Sequence, residues 1–72
     1  MQLKNRRKIL GISQKELAKE IGVTNDYISI LERTNKIPSV MLIKKISEYF
    51  ISVAKEKDIP PEIFSVENIF FK

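Results

Sequence analysis

The segment that decides the fold reads Ser13-Gln14-Lys15-Glu16-Leu17-Ala18-Lys19-Glu20-Ile21-Gly22-Val23-Thr24 and contains the start and stop signals of one helix. The Ser13 hydroxyl can cap a helix, and Glu16, three residues later, completes a capping box. Gly22 accepts a positive φ at little cost and is therefore suited to end that helix. Thr24 can cap the next helix, which would begin at Asn25. The segment thus predicts two helices joined by a very short turn.

Apolar residues at helical spacing predict further helices on both sides of this segment. Leu3 and Leu10 flank a basic first helix, and Tyr27, Ile28 and Leu31 mark the third. A long stripe then predicts a fourth helix from residue 39 or 40 to about residue 57, formed by Val40, Ile43, Ile46, Phe50 and Val53. The chain is therefore predicted to be all-α. Two short helices that meet across a tight turn with glycine are typical of a helix-turn-helix.

The end of the chain differs in composition from the rest. Asp58 and the pair Pro60-Pro61 stop the fourth helix, and the run from Val66 to Phe71 is short and apolar. We interpret this run as a strand or as a tail docked on the helices. The predicted organisation is a helix-turn-helix domain over residues 1–58 followed by a C-terminal tail over residues 59–72.

Composition excludes several classes of function. The 72 residues include no Cys and no His, which removes disulfides, zinc-thiolate sites, thiol nucleophiles and the usual general base. The remaining polar residues form no nucleophile–base arrangement, so we expect no enzyme, no metal and no cofactor. No apolar run is long enough for a membrane span, and the charged N-terminus is unlike a signal peptide. The expectation is a soluble, cytoplasmic protein.

Charge is unevenly distributed along the chain. Residues 1–47 hold ten basic and four acidic side chains, a net charge of +6, whereas residues 48–72 have a net charge of −2. Such asymmetry favours a polyanionic partner for the N-terminal part. A merely solvated surface explains the charge alone equally well.

Three groups of residues carry a resemblance to a known family: Ile12-Ser13-Gln14-Lys15-Glu16-Leu17-Ala18, Ile21-Gly22-Val23-Thr24 and Ile28-Ser29-Ile30-Leu31-Glu32. Together they resemble the Cro and lambda-repressor type of helix-turn-helix, often called the XRE family, over roughly residues 3 to 50. The resemblance implies a five-helix lambda-repressor-like fold. It also implies that the third helix is a recognition helix that enters the major groove of double-stranded DNA.

The resemblance assigns roles to individual residues outside the third helix. Gln14, at the start of the second helix, is expected to anchor the DNA backbone with its side chain and the helix N-terminus. Thr24 is expected to cap the third helix and to touch a phosphate. Arg7 and Glu32 match positions that form an ion pair in several repressors of this family, which is a structural role.

One face of the third helix is expected to meet the bases, and it comprises Asn25, Asp26, Ser29, Ile30 and Arg33. Asn25 can pair with adenine, and Ile30 can pack on a thymine methyl group. Asp26 can accept from cytosine N4, but as a first-turn anion it would equally well favour the helix dipole. Asn25 is the leading candidate for sequence discrimination.

The sequence departs from the family pattern after Glu32. The family commonly has Gly there, whereas this chain has Arg33-Thr34-Asn35. Thr tolerates positive φ poorly, so Asn35 is expected to supply the left-handed residue one position later. This change alters the loop in which Arg33, Asn35 and Lys36 are expected to contact a second phosphate.

A homodimer is predicted through the C-terminal part. Six apolar residues crowd the last ten positions and mark a candidate interface: Ile63, Phe64, Val66, Ile69, Phe70 and Phe71. Pairing of two strands across a two-fold axis would satisfy their edges. The alternative is a monomer in which the tail folds back on its own helices.

These features favour a sequence-specific transcriptional regulator of a bacterium or its phage, a repressor that binds a palindromic operator as a homodimer. Two alternatives remain open. The chain could be the antitoxin of a toxin–antitoxin pair, or a protein-interaction module that has lost DNA binding. No small-molecule ligand is implied, because the chain has no separate ligand domain.

Overall fold

A computed structural model describes all 72 residues and contains five α-helices, one 3₁₀ turn and no strand. The predicted all-α, five-helix fold is confirmed. No helix has both the length and the apolar character needed to cross a membrane. The elements are α1 (Leu3–Ile9), α2 (Gln14–Ile21), α3 (Asn25–Thr34), α4 (Val40–Glu56), the 3₁₀ turn (Pro61–Phe64) and α5 (Val66–Phe70).

Local hydrogen bonds set the limits of α2 and the start of α3. The Ser13 hydroxyl accepts from the Glu16 backbone N–H at 3.0 Å, and the Glu16 carboxylate accepts from the Ser13 N–H at 3.1 Å. Gly22 ends α2 in the left-handed conformation, with φ +77°. The Thr24 hydroxyl accepts from the Tyr27 N–H at 3.1 Å. The predicted capping box, glycine stop and threonine cap are all confirmed.

The end of α3 follows the predicted departure from the family pattern. Asn35 has φ 54° and ψ 30°, so it is the left-handed residue that closes α3. Thr34 remains helical, and its hydroxyl donates to the Ile30 carbonyl at 2.7 Å. Because Asn tolerates positive φ better than Thr, the left-handed position shifts to the first residue after Thr34 that can adopt it.

One apolar core receives side chains from every helix. Tyr27 on α3 is half-buried and packs against this core. The core is therefore not confined to the helix-turn-helix but extends to the last residues of the chain. Its buried members are Leu3, Leu10, Ile12, Leu17, Ala18, Ile21, Ile28, Leu31, Ile43, Ile46, Phe50, Ala54, Phe64, Ile69 and Phe70.

The C-terminal tail folds back on its own chain, and the strand suggested for Val66 to Phe71 is wrong. The segment forms α5, which begins at the Ser65 cap, where the hydroxyl accepts from the Asn68 N–H at 3.2 Å. Ile69 and Phe70 lie side by side in the core of the same chain. A helix satisfies the backbone of this run internally, which a single unpaired strand cannot do.

Polar contacts hold the tail to the earlier helices at backbone carbonyls. The Ser47 hydroxyl, buried on α4, donates to the Phe64 carbonyl at 2.7 Å. The Arg6 Nε, on α1, donates to the Ile63 carbonyl at 2.9 Å. Both carbonyls belong to the last residues of the 3₁₀ turn, which is too short to provide hydrogen-bond donors of its own for them. The tail is thus attached to both α1 and α4.

The apolar stripe of α4 is correct in its middle and wrong at its start. The helix covers the predicted range, and Ile43, Ile46 and Phe50 are buried as expected. Val40 and its neighbour Met41, however, are 70% and 68% exposed. Both lie in the first turn of α4, where no other element covers them.

Candidate nucleic-acid interface

The outer face of α3 presents the residues that the sequence assigned to base contact. Asn25, Asp26 and Arg33 are exposed, Ile30 is 42% exposed, and Ser29 is half-buried. The opposite face holds α3 to the core through Ile28 and Leu31, which are 0% and 1% exposed. The predicted division of α3 into an inner apolar face and an outer face available to a partner is confirmed, while the individual base contacts stay predictions.

Gln14 occupies the first position of α2, directly after the Ser13 cap. Its side chain is half-buried, and its Nε2 donates to Glu32 Oε1 at 3.0 Å. The sequence predicted a phosphate as the partner of Gln14 and did not predict this hydrogen bond to Glu32. The contact places the N-terminus of α2 beside the last turn of α3.

Arg7 and Glu32 form the ion pair that the family resemblance implied. Arg7 Nε donates to Glu32 Oε2 at 2.7 Å, and Arg7 Nη2 donates to Glu32 Oε1 at 2.9 Å. The third nitrogen, Nη1, donates to the Ile12 carbonyl at 2.9 Å. The Arg7 and Glu32 side chains are only 8% and 4% exposed. The pair therefore joins α1, the residues before α2, and α3 at one buried point.

The charge state of Glu32 follows from two opposing effects. Burial by itself would raise the pKa of Glu32, whereas hydrogen bonds from Arg7 and Gln14 and the positive charges of Arg7 and Lys4 lower it. The lowering effects prevail, so the pKa lies below the ordinary value of a glutamate. At neutral pH the group is a carboxylate with a directly bound guanidinium.

The remaining predicted phosphate contacts lie on exposed loops beside α3. Thr24 precedes α3, and Asn35 and Lys36 follow it, and all three are exposed. Thr24 has its expected capping role, and the Ser39 hydroxyl caps α4 in the same way by accepting from the Leu42 N–H at 3.3 Å. The phosphate roles of Thr24, Asn35 and Lys36 stay predictions.

Two features of this surface escaped sequence reasoning. The first is the Gln14–Glu32 hydrogen bond, because both residues were identified separately and nothing in the local pattern joined them. The second is the exposed apolar group formed by Ile37, Val40 and Met41. The sequence pattern gave no warning of this exposure, because Val40 lies at helical spacing on the apolar stripe of α4.

A shallow depression of about 330 Å³ between α2 and α4 is unsuited to a polyanion. Glu16, Lys19, Glu20 and Tyr49 line it. Burial, together with the charges of Glu20, Glu16 and Glu56, raises the pKa of Tyr49. The structure contains no group of three or more acidic, His or Cys side chains that could hold a metal ion.

The geometry defines a helix-turn-helix domain in which α3, the second helix of the motif, has an exposed outer face. The helix-turn-helix family model matches residues 3–52, and the chain belongs to this family. The resemblance to the XRE type, first noted in the residues around Gln14, is thereby confirmed.

A protein of Methanothermobacter thermautotrophicus named as an uncharacterized HTH-type transcriptional regulator is 40% identical to this chain over 45 residues. The alignment covers 62% of this chain and 65% of that protein, which is just under two thirds of its length. No solved structure matched the chain.

Proposed function

We propose that this protein is a sequence-specific DNA-binding transcriptional regulator, a repressor that acts as a homodimer on a palindromic operator. The observation that carries the proposal is the outer face of α3, which is exposed while its inner face is buried. In helix-turn-helix proteins the second helix of the motif lies in the major groove. The name of the relative in Methanothermobacter, an HTH-type transcriptional regulator, supports the same assignment.

Base recognition is assigned to the outer face of α3. Asn25 and Asp26 lie in the first turn of α3 and are exposed. Asn25 pairs with adenine, Asp26 accepts from cytosine N4, and Ile30 packs on a thymine methyl group. Asp26 also stabilises the positive N-terminal end of the α3 dipole, which accounts for an anion on a surface that approaches phosphates.

Contacts to the DNA backbone are assigned to the flanks of α3. Gln14 and the N-terminus of α2 bind one phosphate, and Lys36, with the loop after α3, binds another. Residues 1–47 have a net charge of +6, which favours association with a polyanion and predicts salt-dependent binding. Thr24 adds a phosphate contact without losing its cap, because a hydroxyl oxygen that accepts one hydrogen bond can still donate another.

The dimer uses the part of the tail that stays at the surface. Phe64, Ile69 and Phe70 are 0–2% exposed in their own chain, so we do not assign them to the interface. Ile63 and Val66 are half-buried, and Phe71 is 58% exposed, which leaves them for a second copy. A two-fold dimer would place the two α3 helices about 34 Å apart, one turn of DNA.

DNA binding is tested by fluorescence anisotropy with a duplex from the region upstream of the protein's own gene and with a scrambled duplex. Asn25→Ala should cost about 1–3 kcal/mol on the specific duplex, with little effect on the scrambled one. Lys36→Ala should weaken both and lower the salt dependence by about one phosphate contact. Lys55→Ala, near the far end of α4, is the charge-matched control and should change neither. A wild-type protein that binds neither duplex at low salt refutes the proposal.

Homodimerisation is tested separately by sedimentation equilibrium. Phe71→Ser should shift the protein toward monomer, whereas Met41→Ser, which alters the exposed apolar group at the start of α4, should not. A monomeric wild type at tens of micromolar removes the dimer from the mechanism, and dissociation by Met41→Ser alone moves the interface to α4.

A further inference from the structure

We infer that Glu32 is a positioning residue for DNA binding, which fixes the Gln14 side-chain amide so that an N–H group is presented to the phosphate. The inference rests on the proposed function and goes beyond it, because the Glu32 side chain is only 4% exposed and is not among the residues assigned to DNA contact. Its basis is the hydrogen bond from Gln14 Nε2 to Glu32 Oε1 at 3.0 Å.

The Glu32 carboxylate determines which end of the Gln14 amide faces inward. A carboxylate only accepts hydrogen bonds, so it selects the NH₂ end of Gln14 and repels the carbonyl end. Glu32 remains a carboxylate because Arg7 binds both of its oxygens, at 2.7 and 2.9 Å. The amide therefore has one orientation instead of two that differ by a flip.

The Gln14 amide retains one N–H group for a further hydrogen-bond partner. The NH₂ group of Gln14 has two hydrogens, and Glu32 takes one of them. The second N–H stays available, and the Gln14 side chain is half-buried, so part of it meets solvent. A phosphate oxygen is an acceptor and needs this N–H, whereas an amide turned around would present its carbonyl oxygen to an anion.

The Arg7 guanidinium holds the backbone before Gln14 and balances the charge of Glu32. Arg7 also donates to the Ile12 carbonyl at 2.9 Å, two residues before Gln14, so the same guanidinium holds the backbone that leads into α2. The Glu32 charge lies next to that of Arg7, which offsets the repulsion a lone carboxylate would exert on a nearby phosphate. The group of three is thus suited to hold Gln14 without opposing the DNA.

The experiment compares the contribution of Gln14 to DNA affinity in three backgrounds of the full chain, by anisotropy with a short random duplex at low salt. In the wild type, Gln14→Ala should weaken binding about tenfold, as expected for a hydrogen bond to a charged group. In the Glu32→Gln background the same change should weaken it less than about threefold, because the amide there is no longer oriented. In the Ser47→Ala background, which loses a buried hydrogen bond on α4, the effect should stay about tenfold.

The Ser47→Ala arm separates positioning from a general loss of stability. If Glu32→Gln does not fold, as judged by circular dichroism, Glu32→Asp takes its place, because it keeps a charge for Arg7 but is one methylene too short to reach Gln14 as well. An effect of Gln14→Ala that is equal or larger when Glu32 is replaced overturns the inference and leaves the proposed function intact. A wild type that binds no duplex overturns both.

Discussion

Helices α3 and α5 both begin at a capping hydroxyl, yet different forces hold them. The ten-residue α3 follows the Thr24 cap and is closed by Asn35, so its limits are set by residues within the segment. The five-residue α5 follows Ser65 and is much shorter than the length at which isolated helices become stable in water. Its backbone is further tied to the N-terminus, where the Gln2 N–H donates to the Ile69 carbonyl at 2.6 Å.

The difference shows that the helix-turn-helix and the C-terminal tail obtain their stability from different sources. The helix-turn-helix has its own start and stop signals and then adds core contacts. The tail has a cap but too few residues, so it is helical because α1 and α4 provide an apolar surface and partners for its carbonyls. Four predictions test this contrast.

The largest effect is expected where the tail enters the core. Phe64 is 0% exposed and packs edge-on against Phe50, so Phe64→Ala should lower the free energy of unfolding by about 3–5 kcal/mol. Met41→Ala, at a residue that is 68% exposed and outside the proposed dimer interface, is the control and should change it by less than about 0.5 kcal/mol. Denaturant unfolding followed by circular dichroism measures both. Similar values for the two variants would contradict the docking of the tail.

The second-largest effect is expected at the Arg7–Glu32 pair, which joins α1 to the helix-turn-helix. Arg7→Met leaves the buried Glu32 carboxylate without its charge partner and should cost about 3 kcal/mol. Adding Glu32→Leu removes the stranded charge, so the double variant should regain much of that loss. Additive losses in the double-mutant cycle would show that the two residues do not act as a pair.

The third effect is the response of this pair to acid. The pKa of Glu32 is lower in the folded protein than in the unfolded chain, so the unfolded state binds its proton first as pH falls. The stabilisation is therefore complete above the unfolded-state value of about 4.3 and is lost as pH drops through the folded value. Glu32→Gln should reduce the slope of the free energy of unfolding against pH on the acid side. Glu62→Gln, at an exposed position of the 3₁₀ turn, should leave that slope as it is in the wild type.

The smallest effect compares the two left-handed residues that are not glycine. Asn35 closes α3, and Asp58, with φ 56°, leads from α4 into the tail. Glycine adopts this conformation without a steric penalty. Asn35→Gly and Asp58→Gly should therefore each raise the free energy of unfolding by about 0.5 kcal/mol or less, which is measured as a slightly higher thermal midpoint. Alanine at either position should instead cost about 1 kcal/mol. A stabilising alanine would show that the left-handed backbone is not required there.

Much of the helix-turn-helix was predictable from the sequence because its signals are local. A capping hydroxyl acts on an N–H three residues away, and Gly22 acts on the turn in which it lies. The outer face of α3 followed from helical periodicity, since Ile28 and Leu31 fix which side is buried. The Arg7–Glu32 pair, 25 residues apart, followed from the family resemblance and not from any local pattern.

What only the tertiary structure decided involves residues distant along the chain. The apolar run at the end of the sequence was compatible with a strand or with a tail docked on the helices, and its contacts with α1 and α4 show that it is a docked helix. Likewise Gln14 acquired Glu32 as a partner from 18 residues away. Local signals determine where helices start and stop because those hydrogen bonds span a few residues. Burial and side-chain pairing depend on which surfaces meet, and that is determined only when the whole chain has packed.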